Sequence, residues 1–178
     1  DSPRIFNVYR EYKSWGRSVG VNSVGQLNRK ISGGEIKEFI QITEAFQNKK
    51  LAEIADRVYR ESERLKILLI AGPSSSGKTT TAKRLSIFLR VMGLDPIAIS
   101  LDDYFLGSDA APKNEKGEPD FECLEALDVP YFNKQLIELL DGKEVDIPVF
   151  DFKIGARRAY ANAREEASHR IKLGPSSI

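Results

Sequence analysis

The segment Gly72-Pro73-Ser74-Ser75-Ser76-Gly77-Lys78-Thr79 matches the pattern G-x-x-x-x-G-K-[ST] at every fixed position. It follows a continuous apolar run, residues 66–71, and precedes a segment, residues 82–92, whose apolar side chains recur at helical spacing. Glycines let the backbone curl so that successive N–H groups form an anion-binding nest, to which a helix N-terminus adds the positive end of its dipole. The pattern therefore predicts a strand, a phosphate-binding loop and a helix in that order.

This loop is typical of a nucleoside triphosphate site, and it predicts ATP and Mg²⁺ as cofactors. Lys78 would bring a positive charge to the β- and γ-phosphates, and Thr79 would offer its hydroxyl to the metal. The structural alternative is a Gly/Ser-rich loop with a solvated lysine. A guanine-reading N-K-x-D is absent, so GTP is not supported. The residues expected to contact the nucleotide are Gly72, Pro73, Ser74, Ser75, Ser76, Gly77, Lys78, Thr79 and Thr80.

A second apolar run, residues 96–101, completes a strand–helix–strand unit, so we expect an α/β fold with a P-loop NTPase-type parallel sheet and flanking helices. Asp102 and Asp103 follow this run directly. Ligands of open α/β sheets bind beyond the carboxyl ends of the strands. A carboxylate there can accept the proton of an attacking hydroxyl, and Asp102 is the stronger candidate. The structural alternative is that either residue caps a turn.

The pattern of residues 1–64 predicts a helical connector. We expect the domain boundary at Leu65, directly before the apolar run 66–71. The stretch Ser32-Gly33-Gly34-Glu35 fits the S-x-x-E capping box, so a helix should start there. Residues 65–178 would form the N-terminal part of the α/β domain. Within it the spacing predicts a polar loop over residues 102–120, a helix over 131–141 and an extended segment over 145–152. Pro148 indicates that this segment is either at a sheet edge or outside a sheet.

Composition excludes several classes of protein. A hydrophobic fraction of 41% is too high for a disordered chain, and a net charge of +1 gives no electrostatic case for a nucleic-acid partner. One Cys and one His rule out a disulfide framework and a structural zinc site. The sequence has neither an apolar run of about 18 residues nor a signal-like start, so we expect a cytoplasmic protein without a membrane partner. Its oligomeric state stays open.

At this point the sequence resembles the uridine kinase and phosphoribulokinase group of P-loop kinases, over roughly residues 65–178. Within that group it is most similar to the longer bacterial uridine kinase-like proteins, in which a kinase domain follows a region similar to part of a tRNA synthetase. The segments that carry the resemblance occur in the family's order: residues 71–80, then 100–105, then 120–128, then 148–152 with Arg157.

The resemblance implies roles for individual residues. Asp102 would be the general base for a nucleoside 5′-hydroxyl, and Lys78 would assist transfer. The substrate-side positions are Asp103, Tyr104, Glu122, Phe150 and Arg157. Among these, Glu122 falls at the family's ribose-binding acid and Phe150 at its aromatic against the pyrimidine. Their structural alternatives are a helix-entry carboxylate for Glu122 and core packing for Phe150.

One departure affects the acceptor. Where uridine kinases have a base-reading His, this sequence has Gly155. The leading prediction is transfer of the ATP γ-phosphate to a hydroxyl of a nucleoside or a related small molecule. The alternatives are a kinase of another sugar or metabolite, phosphoribulokinase-like or pantothenate kinase-like, and a regulatory module that binds ATP without turnover. The family's later strand, lid and adenine loop are not in this sequence, which we therefore expect to bind phosphate groups at best.

Overall fold

The computed structural model describes residues 3–73, 75–158 and 168–178. The chain divides into two compact units, residues 1–54 and 55–178, and the division falls within one long helix. The first unit holds α1 (Pro3–Ser18), α2 (Val24–Ser32) and most of α3 (Ile36–Arg60). In this unit the ring of Trp15 packs on Phe46 and Phe39, with centroids 5.2 and 6.5 Å away. Residues 3–60 are thus mainly helical, as the sequence predicts.

The capping box at residues 32–35 does not form. Ser32 is the last residue of α2, and its hydroxyl donates to the carbonyl of Arg29 at 3.1 Å. Gly34 takes the left-handed conformation, φ +78°, and Glu35 provides the carbonyl that accepts the first hydrogen bond of α3, from Phe39. A helix does begin at this point, but the hydroxyl meant to cap it belongs to the preceding helix. The carboxylate of Glu35 instead pairs with Lys30 at 2.8 Å.

The second unit contains two further helices, α4 (Lys78–Val91) and α5 (Val129–Leu140). Each is followed closely by a glycine in the left-handed conformation, Gly93 with φ +83° and Gly142 with φ +76°. Two short 3-10 turns, Leu101–Tyr104 and Leu124–Ala126, lie between these helices. Asp128 caps α5 by accepting the backbone N–H of Tyr131 at 3.1 Å.

Four short strands form two antiparallel sheets. Strand β1 (Glu144–Pro148) pairs with β4 (Ser168–Lys172), and β2 (Phe150–Asp151) pairs with β3 (Ala156–Arg157). Pro148 ends β1 at the rim of its sheet, in agreement with the edge position expected for proline. One core cluster packs α5 against β1 and the first 3-10 turn, and its buried members are Tyr104, Leu139, Val145 and Ile147.

The structure differs from the prediction at the two apolar runs. Residues 66–71 and 96–101 are not strands, and Leu69 is 82% exposed. A buried strand needs neighbours that complete its hydrogen bonds, and residues 66–71 have no such ladder among the described residues. Parallel pairing is present at one point: Asp95 and Ile97 donate to the carbonyls of Ser176 and Ile178, both at 2.9 Å. Within the described residues this isolated bridge does not extend to a parallel sheet.

No helix in the described residues is long and apolar enough to cross a membrane.

Candidate active site

The phosphate loop runs directly into the first turn of α4. Gly77 has φ +87°, which a residue with a Cβ adopts only at a cost, and it occupies the N-cap position with no side-chain cap. The first hydrogen bond of the helix joins the N–H of Thr81 to the carbonyl of Gly77 at 2.8 Å. The N–H groups that precede it have no partner within the helix. The sequence motif therefore folds locally into a helix N-terminus that is suited to an anion.

Two contacts close the loop on itself. The backbone N–H of Ser76 and the ammonium of Lys78 both donate to the carbonyl of Pro73, at 3.2 and 3.0 Å. Gly72 lies close beneath the loop, because a Cβ added there would stand 2.7 Å from the hydroxyl of Ser76. Ser75 adopts φ +57°, the left-handed region, without being a glycine. The ammonium of Lys78 therefore already lies across the loop that it is expected to serve.

The residues around this loop fit a nucleotide with its magnesium ion. Thr79 and Thr80 are exposed in the first turn of α4. In the described ranges no group of three or more His, Cys, Asp or Glu side chains is placed to hold a metal ion. The hydroxyl of Thr79 is an oxygen ligand of the kind that Mg²⁺ accepts beside phosphate oxygens and water. Ser74, also expected to contact the nucleotide, lies outside the described residues.

The three candidate residues 102–104 lie within the first 3-10 turn, and their side chains have different surroundings. Asp102 is exposed, whereas the carboxylate of Asp103 accepts the backbone N–H of Phe150 at 3.1 Å. Tyr104 is buried, and its hydroxyl donates to the side-chain carbonyl of Gln135 at 2.8 Å. Burial raises the pKa of Tyr104 to about 12, and the neighbouring Tyr131 adds to the shift. Of the three, Asp102 is the side chain presented to solvent.

Arg157, expected on the substrate side, lies among protein groups. Its guanidinium donates to the carboxylate of Asp128 at 3.1 and 3.2 Å and to the backbone carbonyl of Tyr104 at 2.9 Å. It also stands over the ring of Tyr131, 5.2 Å from the centroid. These contacts join β3 to the start of α5 and to the 3-10 turn that carries Asp102.

Phe150 belongs to a second core cluster. Its ring is buried and lies 5.7 Å from Phe105, 5.8 Å from Phe121 and 5.0 Å from Phe152, all edge-on. Phe152 is the exposed ring of the group. Glu122 is exposed, with its backbone N–H donated to Asp120 at 2.9 Å.

Gly155 is held against Ser108. Its carbonyl accepts both the N–H and the hydroxyl of that residue, at 2.7 and 3.0 Å. Gly155 has φ +63°, and a Cβ added to it would lie 2.1 Å from the Ser108 hydroxyl oxygen. This position therefore has no room for a side chain as the chain stands.

The structure thus groups the candidates in two places. The described hydrogen bonds of the phosphate loop join residues within 73–81, while the turn with Asp102 is bonded to residues within 126–157. Sequence reasoning missed Asp128 and Gln135 as members of the second group. Asp128 had a signal, since Asp followed by Val-Pro is typical of a helix start. Gln135 had none, because a Gln on an amphipathic helix is ordinarily exposed.

Comparison with known proteins is consistent with these two groups. The family model described as "Phosphoribulokinase / Uridine kinase family" matches residues 67–171, which is more than half of the chain. The chain belongs to the phosphoribulokinase/uridine kinase family. The matched residues include the phosphate loop, Asp102 and the β2–β3 hairpin, so both parts of the candidate site lie within this family's region.

Individual relatives are identical to this chain at about a third of the aligned residues. A uridine kinase of Lactobacillus johnsonii is 35% identical over 98 residues, which cover 54% of this chain and 46% of that protein. A uridine kinase of Schizosaccharomyces pombe is 34% identical over 92 residues, covering 50% and 20%. The inorganic pyrophosphatase TTM2 of Arabidopsis thaliana is 32% identical over 91 residues, covering 51% and 12%. The chain spans less than half the length of each of these relatives.

Proposed function

We propose that this family member is an ATP- and Mg²⁺-dependent phosphotransferase that moves the γ-phosphate of ATP to a hydroxyl of a nucleoside or a related small molecule. The observation that carries the proposal is the left-handed Gly77 at the start of α4, with Lys78 folded across the loop at Pro73. This geometry directs backbone N–H groups and one positive charge toward a single anion. Two of the relatives bear the name uridine kinase, which supports a kinase over a pyrophosphatase.

The proposed mechanism places two groups of residues around the reacting phosphate. Lys78 and the loop amides stabilise the charge on the phosphoryl oxygens as the bond to the ADP oxygen breaks. The exposed Asp102 accepts the proton of the acceptor hydroxyl while the oxygen of that hydroxyl forms its bond to phosphorus. Mg²⁺, held by Thr79 and the phosphates, supplies further positive charge when it is bound. Asp103 and Tyr104, whose side chains are hydrogen-bonded inside the protein, then support the turn and do not contact the substrate.

The exposed side chains of Phe152 and Glu122 are the proposed acceptor contacts. The buried ring of Phe150 packs edge-on against Phe152, with centroids 5.0 Å apart. A phenyl face offers stacking area to a flat ring, whereas a carboxylate offers hydrogen bonds to paired hydroxyls. Neither group distinguishes one nucleobase from another by hydrogen bonds.

A kinase of another sugar or metabolite is the second candidate, and one observation favours it. The Ser108 hydroxyl occupies the space into which a side chain at position 155 would project. Gly155 therefore offers no side chain at the position where the family resemblance places a base reader. An acceptor without a pyrimidine would lose no base-reading contact with residue 155.

The remaining parts of the proposal concern organisation. We propose that residues 65–178 belong to the kinase domain and that residues 1–64 are a helical connector before it. The parallel bridge between Asp95 and Ser177 supports a parallel sheet of the P-loop type in the whole protein. A protein with one Cys is suited to the cytoplasm.

The test measures ADP release and product formation by a protein that contains this chain, with ATP and Mg²⁺, across a panel of nucleosides, pentoses and other small alcohols. We expect one acceptor class to stimulate ADP release and to appear phosphorylated. Asp102→Asn should lower transfer at least tenfold with ATP binding unchanged, whereas Asp109→Asn, an exposed aspartate on the neighbouring loop, should change neither. ATP binding without any stimulated turnover would favour the regulatory module and contradict the proposed transfer.

A further inference from the structure

The β2–β3 hairpin makes two hydrogen bonds with the turn that bears Asp102, one with each of the next two residues, Asp103 and Tyr104. From β2, the N–H of Phe150 reaches the carboxylate of Asp103 at 3.1 Å. From β3, the guanidinium of Arg157 reaches the carbonyl of Tyr104 at 2.9 Å. Phe150 and Arg157 are direct partners in the strand register, so the two anchors come from one rung of the hairpin.

The hydrogen bonds at the two ends of the turn are long. The N–H of Asp103 donates to the carbonyl of Ser100 and the N–H of Phe105 to that of Asp102, at 3.3 and 3.4 Å, at the far end of the usual range. The carbonyl of Tyr104 accepts two shorter bonds from outside the turn, both 2.9 Å, from the N–H of Asp128 and from Arg157. The conformation that exposes Asp102 therefore depends on partners outside the turn.

Asp128 completes this arrangement. One carboxylate oxygen caps α5 through the N–H of Tyr131, and the other accepts both terminal nitrogens of Arg157. The Arg157 and Asp128 side chains are 27% and 28% exposed, so water screens this pair only in part. The guanidinium also lies over the ring of Tyr131, 5.2 Å from the centroid. The forked group suits this position, because both terminal nitrogens donate to Asp128 while one of them also donates to the carbonyl of Tyr104.

We propose that Arg157 is a positioning residue that, with Asp128, holds the Asp102 turn in the orientation required for phosphoryl transfer. This inference rests on the proposed function for its catalytic part. It assigns Arg157 to the protein framework and away from contact with the acceptor. Lysine cannot replace it in full, because a single ammonium lacks the second nitrogen that pairs with Asp128 and the planar group that lies over the ring of Tyr131.

The experiment compares Arg157→Lys with Arg158→Lys in the full chain. Arg158 is the next residue, and its guanidinium pairs with Asp151 on the same hairpin at 3.4 Å. Hydrogen exchange of the amides of residues 101–106 is the first readout, and we expect about tenfold faster exchange in Arg157→Lys and little change in Arg158→Lys. ATP binding should stay within about twofold in both variants, because the described contacts of Arg157 and Arg158 are made with residues 104–151, outside the phosphate loop.

Steady-state kinetics give the second readout. With the best acceptor, Arg157→Lys should lower kcat about tenfold or more, leaving the KM for ATP unchanged, because a misplaced base affects the chemical step. Asp128→Asn keeps the oxygen that caps α5 and weakens only the pairing with Arg157, so it should reproduce the kcat loss in a chain whose helix is intact.

Unchanged exchange at residues 101–106, an equal rise in Arg158→Lys, or faster exchange across the whole unit would overturn the inference. An unchanged kcat with faster local exchange would overturn its catalytic part. Absence of transfer by a protein that contains the wild-type chain would contradict the proposed function, and the exchange measurement alone would then decide whether Arg157 holds the turn.

Discussion

The carboxylate of Asp103 accepts a hydrogen bond from the backbone N–H of Phe150 at 3.1 Å, although 47 residues separate them along the chain. This contact uses the carboxylate beside Asp102 for structure and leaves Asp102 itself exposed. Two adjacent aspartates therefore differ in what they are free to do.

Removing the Asp103 acceptor should destabilise the chain. In Asp103→Ala the half-buried N–H of Phe150 loses its partner, and we expect the free energy of unfolding to fall by about 1–3 kcal/mol. Asp103→Asn keeps a side-chain oxygen and should cost less. Urea unfolding followed by circular dichroism measures both, with Asp102→Ala as the exposed control, expected within about 0.5 kcal/mol of wild type. An equal loss in Asp102→Ala would contradict this role for Asp103.

Gly77 and Gly93 lie at opposite ends of α4 and form a matched pair. Both have positive φ, +87° and +83°, and an added Cβ at either position would meet nothing within 4 Å. Gly77→Ala and Gly93→Ala should each therefore lower stability by about 1–2 kcal/mol through backbone strain alone. Gly77→Ala should also weaken ATP binding measured by calorimetry, because it distorts the phosphate loop, whereas Gly93→Ala should not. Equal ATP affinity in the two variants would argue against a phosphate site at this helix end.

The contact between Gly155 and Ser108 predicts coupled mutations. Gly155→Ala places a Cβ 2.1 Å from the Ser108 hydroxyl oxygen at a φ of +63°, so it should destabilise the chain by more than backbone strain alone. Removing that oxygen in Ser108→Ala should recover part of the loss, leaving the strain. A double-mutant cycle from denaturant unfolding checks this coupling. Additive losses would mean that the two residues do not press on each other.

Tyr104 predicts a loss of stability at high pH. Its pKa is about 12 in the folded chain, above the ordinary value of 10, so the folded state holds this proton where the unfolded state has released it. The stabilisation is complete below pH 10 and is lost as the pH rises toward 12, by about 2–3 kcal/mol in all. Unfolding free energies from pH 9 to 12 measure it, together with absorbance of the tyrosinate. Tyr104→Phe should flatten this dependence, and an unchanged slope would assign it to other groups.

Much of the local structure was readable from residue types. The phosphate loop, the start of α4 at Lys78 and the glycine ends of α4 and α5 follow from backbone preferences within a few residues. The helix after residue 35 was also predicted, but its capping was wrong. The hydroxyl of Ser32 could cap the following helix or bond within the preceding one, and it donates to the carbonyl of Arg29 in the preceding helix.

The local geometry of residues 72–81 follows from residue types alone, because a left-handed glycine and a helix N-terminus are local features. Which of residues 102–104 faces solvent depends instead on contacts with segments distant along the chain. In a 3-10 turn, successive side chains point about 120° apart, so one meets the hairpin, one enters the core and one is left outside. The packing of Phe150, Gln135 and Arg157 around the turn makes that choice. The apolar run 66–71 is not a strand for a related reason, since a strand forms only where another segment completes its hydrogen bonds.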